Sequence, residues 1–273
     1  MTDHYFEDSF VKLHYYKFGT GSKQMLCFHG FGMHGKQFRV LEEKLGSTYT
    51  FWGFDLLFHK QTALKDNNLA TIKNGIPKSK LAEVIRSFCN HEQINDFSVI
   101  GYSMGTHYAT ALVEEMPERI NEYIVAAPSS LNPGVVVRFF GKNKLGNKML
   151  EKLILNEKVT LGLINLFRRL RIIDNSVRAI LFNEVSTPQL RFALYATFTS
   201  LKRFETDEEK LIRGLTTYQI KSIFIFGKRD RNYLPAIGNT FFKKYTPTEI
   251  IILDEDHDMI NPNFATKLAT LLA

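Results

Sequence analysis

The chain of 273 residues has only two cysteines, Cys27 and Cys89. Two cannot build a disulfide framework. Cys27 lies in an apolar run and Cys89 in a helical pattern, so both read as buried free thiols of a reducing compartment. No run approaches the roughly 18 uninterrupted apolar residues of a membrane-spanning helix. Residues 1–8 lack the basic start and apolar core of a signal peptide. These absences predict a soluble, cytoplasmic protein. Internal repeats and low-complexity tracts are also missing. With 44% hydrophobic and 23% charged residues, disorder and collagen-like structure are excluded.

What is present in excess is positive charge, a net +7, and it is confined. Residues 131–172 hold nine basic side chains and two acidic ones, Glu151 and Glu157; the rest of the chain holds 26 of each sign. Three readings fit these basic residues, in this order: a solvated polar face, a surface steering anionic substrates such as an acyl-CoA or a carboxylate-bearing ester, and peripheral contact with an anionic membrane. Nucleic acid is not expected, because the segment has few aromatics to stack bases and no binding motif.

Short apolar runs alternate with helical patterns over residues 11–127, which predicts a mostly parallel sheet with helices on both faces. Strands are expected at 11–18, 25–28, 50–54, 98–100 and 123–127, with helices at 36–45, 80–89 and 104–116. From about 132 to 213 no strand is legible, and helices are expected at 145–155, 159–170 and 189–204. Alternation resumes with strands at 222–226 and 249–253 and helices at 234–245 and 264–272. The pattern predicts an α/β core of residues 1–130 and 214–273, interrupted by a helical cap of residues 131–213. Such an insertion is expected over the carboxyl end of the sheet.

Gly101-Tyr102-Ser103-Met104-Gly105 follows a strand and opens a helix, the context of a nucleophile elbow. Ser103 would sit in a strained turn, with Gly101 and Gly105 small enough for the chain to fold back on itself. An acyl-transfer serine needs two N–H donors for the tetrahedral oxygen. The Met104 N–H is one by position, and the Phe31 N–H in the loop His29-Gly30-Phe31-Gly32 is the candidate for the other. Gly30 lets the backbone come close to a ligand, and His29 is expected to order this loop rather than act as a base.

Eight histidines are available. His257 follows the apolar strand at 249–253 after a short acidic loop and is the candidate base; His59 and His107 compete with it. Asp230 ends the strand at 222–226 through Gly227-Lys228-Arg229, where a carboxylate could reach the His257 Nδ1–H. Asp256 and Asp258 flank His257 but fit loop solvation or helix capping better. No acid follows the strand at 123–127.

With these four motifs in order (His29-Gly30-Phe31-Gly32, Gly101 to Gly105, Gly227 to Asp230, Asp256-His257-Asp258) the sequence resembles the α/β-hydrolase fold proteins that carry a helical cap. The resemblance implies about eight strands, the first antiparallel, and a serine hydrolase with the triad Ser103, Asp230 and His257, no metal and no cofactor. Two departures stand out. The family often has Asp-x-x-Gly-x-Gly where this chain has Asp55-Leu56-Leu57-Phe58-His59-Lys60, and a second glycine where it has Thr106. Both bear on the shape of the substrate pocket.

Relatives that open epoxides use a carboxylate at the elbow, so serine points to acyl chemistry. The expected activity is a carboxylesterase-like cleavage of a small-molecule apolar acyl ester. The alternatives are a C–C bond hydrolase for an anionic diketone-type substrate and a non-catalytic ligand receptor. Cap residues Leu145, Met149, Leu150, Leu153, Leu161, Ile164, Leu166 and Phe167 fall at helical spacing and read first as packing residues. Surplus apolar faces there would also allow a homodimer.

Overall fold

Strands form wherever β-branched and aromatic residues alternate or cluster. The computed structural model describes residues 3–154, 156–173 and 175–272. Its nine strands are β1 (Asp3–Glu7), β2 (Val11–Phe18), β3 (Lys23–Phe28), β4 (Tyr49–Phe54), β5 (Ala63–Leu64), β6 (Phe97–Tyr102), β7 (Ile120–Ala126), β8 (Lys221–Gly227) and β9 (Glu249–Leu253). They make one sheet in the order β1-β2-β4-β3-β6-β7-β8-β9, with β5 paired to β2. β2 runs antiparallel to β1, β4 and β5, and every pair from β4 across to β9 is parallel. The sheet therefore agrees with the expected architecture. The polar β1 and the two-residue β5 are its additions.

The helices are α1 (Glu42–Leu45), α2 (Leu69–Asn74), α3 (Lys78–His91), α4 (Gly105–Glu115), α5 (Gly134–Lys142), α6 (Lys144–Ile154), α7 (Glu157–Arg169), α8 (Asn175–Glu184), α9 (Pro188–Leu201), α10 (Glu208–Thr217), α11 (Asn239–Phe242) and α12 (Pro262–Leu272). Two expected helices are broken up. A 3₁₀ turn over Gly35–Leu41 precedes α1, and another over Pro235–Gly238 precedes α11. Both are tight because Gly35 packs on the Gly53 carbonyl and Gly238 on the Phe242 ring.

The chain forms two compact units. The first contains residues 1–65, 77–133 and 204–273. In it, alternate strand residues go to opposite faces of the sheet. Met25, Cys27, Ile100, Ile124 and Ile225 pack with Phe38, Leu41, Phe264 and Leu268 on one face. On the other, Phe28 stacks on Tyr108 of α4, and Trp52 and Phe54 meet Phe88 of α3 edge-on. A buried Phe such as Phe88 contributes about 1.5–3 kcal/mol through area removed from water.

The second unit contains residues 66–76 and 134–203, hence α2 and α5 to α9. The sequence pattern places 66–76 in the core and 204–213 in the cap; the contacts group them the other way. α2 packs on α9, and Lys73 pairs with Glu151 of α6 at 2.9 Å. Arg191 of α9 is buried, donating to the carbonyls of Ile154 at 3.1 Å and Val185 at 2.8 Å. Its charge thus stabilises the carboxyl ends of α6 and α8.

Parallel pairing aligns the carboxyl ends of the strands. Phe28 stands opposite Gly101, Tyr102 opposite Ala126, and Gly227 opposite Leu253. From β3 the chain goes to β4 on one side and β6 on the other, so the loops leaving β3 and β6 flank the switch point where ligands bind in such sheets. The fit there leaves no room: a Cβ at position 105 would lie 1.9 Å from the Phe28 carbonyl oxygen and 2.7 Å from that of His29. Gly105→Ala should cost about 3 kcal/mol by forcing these backbones apart, read as a lowered urea midpoint; an unchanged midpoint would contradict this packing.

Candidate active site

The turn from β6 into α4 is made in one residue. Ser103 takes φ +48°, in the left-handed region that non-glycine residues rarely adopt. Its N–H donates to the Ala126 carbonyl at 2.9 Å. Its own carbonyl oxygen accepts from the Thr106 N–H at 3.0 Å, the Thr106 hydroxyl at 2.6 Å and the Ser129 hydroxyl at 2.7 Å. The strained angle is therefore fixed by donors on two elements. Gly101 fits because a Cβ there would meet the Gly105 and Thr106 backbone at 2.7–2.8 Å.

The loop after β3 lies against this turn. A Cβ on Gly30 would fall 2.7 Å from the Tyr102 ring and 3.7 Å from the Ser103 Cβ. His29 is fully buried. Its Nε2 accepts from the Leu56 N–H at 3.1 Å, so its Nδ1 carries the proton, 2.6 Å from the Gly30 carbonyl. Burial, reinforced by the neighbouring His59 imidazole, holds its pKa well below the ordinary histidine value. His29 thus orders the loop as a neutral side chain. Met104 follows Ser103 at the amino end of α4, where the first N–H groups have no acceptor within the helix.

Two further loops complete the cluster. Asp230, after β8, is fully buried, and its Oδ2 lies 2.8 Å from His257 Nδ1. Its Oδ1 accepts from the N–H groups of Asn232 at 2.8 Å and Tyr233 at 3.0 Å. Burial alone would raise the Asp230 pKa; the bond and charge of His257, with the two N–H groups, outweigh it and hold the carboxyl below its usual range. The loops after β8 and β9 are joined at Gly227, where a Cβ would stand 2.7 Å from the Glu255 carbonyl, and by Arg229, which pairs with Asp254 at 2.8 Å. The Tyr102 hydroxyl donates to the His257 carbonyl, and the Tyr102 and Tyr233 rings lie 5.3 and 5.5 Å from the imidazole.

The competitors go elsewhere. His59 packs on His29 and Phe31 at 5.2 and 5.8 Å between ring centres. His107 sits 3.3 Å from the Phe204 carbonyl. Asp256 accepts from the Asp258 N–H at 3.0 Å, a local turn. The sequence marks Thr106 only as a departure from a family glycine, and it gives no sign of the roles of Ser129, Tyr102 and Tyr233. Hydroxyl residues are common in loops, and only the fold shows Thr106 and Ser129 aimed at the Ser103 carbonyl and Tyr102 at that of His257. Tyr233 also bonds Ser129, and burial pushes its phenol up to about 12.

A family profile described as alpha/beta hydrolase fold matches residues 23–159. A stretch of 125 residues is 26% identical to the dihydrolipoyllysine-residue acetyltransferase component of the acetoin cleaving system of Cupriavidus necator, covering 46% of this chain and 32% of that protein. The chain thus spans about a third of the length of this curated relative. Among solved structures, a hydrolase from Pseudomonas aeruginosa is similar with a TM-score of 0.71 at 14% identity, over 99% of this chain and 96% of that one. A thermophilic esterase from Thermogutta terrifontis is similar with a TM-score of 0.61 at 17% identity, over 96% and 92%. With half of its residues matched by the profile, the chain belongs to the alpha/beta hydrolase fold family.

Proposed function

We propose that this chain is a serine hydrolase of the carboxylesterase kind, acting on an apolar acyl ester. The observation that carries this reading is a left-handed Ser103 at a strand-to-helix turn, whose neighbour Tyr102 bonds the His257 carbonyl, together with the hydrogen bond of His257 to the buried Asp230 from the adjacent loops after β8 and β9. The ionised Asp230 takes the Nδ1–H of His257, which leaves Nε2 as the basic nitrogen. In the proposed cycle Nε2 removes the Ser103 proton as Oγ bonds to the acyl carbon. The carbonyl electron pair becomes an oxyanion, held by the N–H groups of Phe31 and Met104. Collapse breaks the bond to the alcohol, which receives the proton from His257. Water, deprotonated by His257, then releases the acid and restores Ser103. Serine in place of a carboxylate speaks against epoxide opening. The name of the Thermogutta terrifontis esterase agrees with ester chemistry.

Ser103→Ala should lower turnover of p-nitrophenyl esters by several powers of ten, and a fluorophosphonate probe should label the native chain but not the variant. Wild-type turnover in the variant, or an unreactive Ser103 in the native protein, would refute the mechanism and favour the receptor. Turnover of a ring-cleavage dienoate without ester turnover would move the assignment to C–C bonds.

Asp230→Asn should lower kcat by roughly 10⁴ through the wrong imidazole tautomer. A carboxyl held below its unfolded value adds stability above the ordinary carboxylate pKa and loses it as pH falls through the lowered folded value. The difference in Tm between wild type and Asp230→Asn should therefore shrink below about pH 4; a difference that grows on acidification would contradict this sign.

A further inference from the structure

The positive charge of the chain belongs to its helical unit. That unit holds 14 of the 35 basic residues and five of the 28 acidic ones, so the α/β unit is slightly acidic by itself. Within the helical unit, α5 and α6 form a hairpin whose two helices pack on each other and on α9. Close approach is made possible by Gly146, where a Cβ would lie 2.2 Å from the Phe139 carbonyl, and Gly141, where it would lie 3.0 Å from that of Phe198. Asn147 adds bonds of 2.9 Å to the Phe140 carbonyl and to the Thr199 hydroxyl. The inner faces are thereby fixed, with Leu150 and Ile154 buried.

The outer faces carry two kinds of side chain at helical spacing. Val135 is 83% and Leu145 65% exposed, and Phe139 and Met149 are exposed as well. Between them on the same stripes lie Arg138 and Lys142 on α5, and Lys144, Lys148 and Lys152 on α6, all exposed. The two acids of this stretch are engaged elsewhere, Glu151 with Lys73 of α2 and Glu157 with Arg191 of α9. Among the described residues, Lys144, Lys148 and Lys152 have no carboxylate within 4 Å.

We infer that the outer face of the α5–α6 hairpin docks on an anionic phospholipid surface. Cations flanking aliphatic side chains match a layer with phosphate above and acyl chains below: lysines reach the headgroups while Val135, Leu145 and Met149 enter the boundary. A nucleic-acid backbone would satisfy the cations but leave these aliphatic groups nowhere to be buried. A second copy related by twofold symmetry would bring like charges together.

The test is co-sedimentation of the full chain with vesicles of phosphatidylcholine alone and with 30% phosphatidylglycerol, at low and at physiological salt. Binding should need the anionic lipid and weaken with salt. A Lys144→Glu/Lys148→Glu/Lys152→Glu variant should lose at least about 100-fold in partition, roughly fivefold or more per charge. Leu145→Ser/Met149→Ser should weaken binding at unchanged charge, and an unchanged near-ultraviolet spectrum shows that the fold persists. Leu145→Trp should shift its emission to the blue on anionic vesicles. Absence of binding at low salt, equal binding to neutral vesicles, or insensitivity to both sets of substitutions overturns the inference. So does stronger retention on a homopolymeric RNA than on the vesicles, or a dimer in solution broken by Leu145→Ser.

Discussion

The site depends on one steric constraint, the contact of Gly105 with the end of β3. A parallel sheet places Phe28 beside Gly101, and a helix must start one turn later without striking the carbonyls of Phe28 and His29. Only a residue without Cβ passes there. That contact forces the one-residue turn, and the turn forces Ser103 to φ +48°. Such angles cost about 1–3 kcal/mol. Three hydrogen bonds to the Ser103 carbonyl oppose relaxation. Because the same contact fixes the loop after β3, Gly30 and Ser103 are neighbours for a reason that precedes chemistry.

Asp230 and His257 are held by a second device of the same kind. Gly227 lets β8 and the loop after β9 approach, and buried Asp230 has both oxygens occupied by donors. A buried carboxylate is stable only when so satisfied. Here its satisfaction also orients the imidazole. Tyr102 links the two devices: its ring packs by Gly30 and its hydroxyl meets the His257 backbone. The elbow residue next to the serine thus spans from the loop after β3 to the loop after β9.

Strand ends and the glycines around Ser103 were legible because sheet period and turn sterics act locally. So were Asp230 and His257, each just beyond an apolar strand. The segment 134–142 was not read as a helix: its run Val135-Val136-Val137 and the pair Phe139-Phe140 are β-formers, and α5 owes its form to packing on α6 and α9. The loop after Asp55 shows a different limit. Where the family often has glycines, Phe58 and Lys60 take φ +65° and +49°. The backbone path is kept without the residue type that signals it. Asp55 itself is fully buried, 2.6 Å from His14 Nδ1 and 2.9 Å from the Gly35 N–H, so it braces the loops around it. Thr106, the other departure, replaces a glycine with a hydroxyl that holds the Ser103 carbonyl. At Thr106 the departure moves a structural duty from backbone freedom to side-chain bonding.

The division of charge follows the division of labour in the fold. Near His257 the chain carries Asp254, Glu255, Asp256 and Asp258, so Asp230 is kept ionised by its own donors, His257 and the N–H groups of Asn232 and Tyr233, rather than by a lack of charge around it. On the outer hairpin face, among the described residues, Lys144, Lys148 and Lys152 have no carboxylate within 4 Å and are exposed, so their charge is carried at little cost in stability. Among the described residues, the one deeply buried cation of the helical unit, Arg191, is satisfied by two carbonyls and by Glu157 at 3.3 Å. The exposed lysines of α6 stabilise nothing comparable within the unit. Under the proposed docking, their placement beside exposed aliphatic side chains serves a surface outside the hairpin rather than the folding of the hairpin itself.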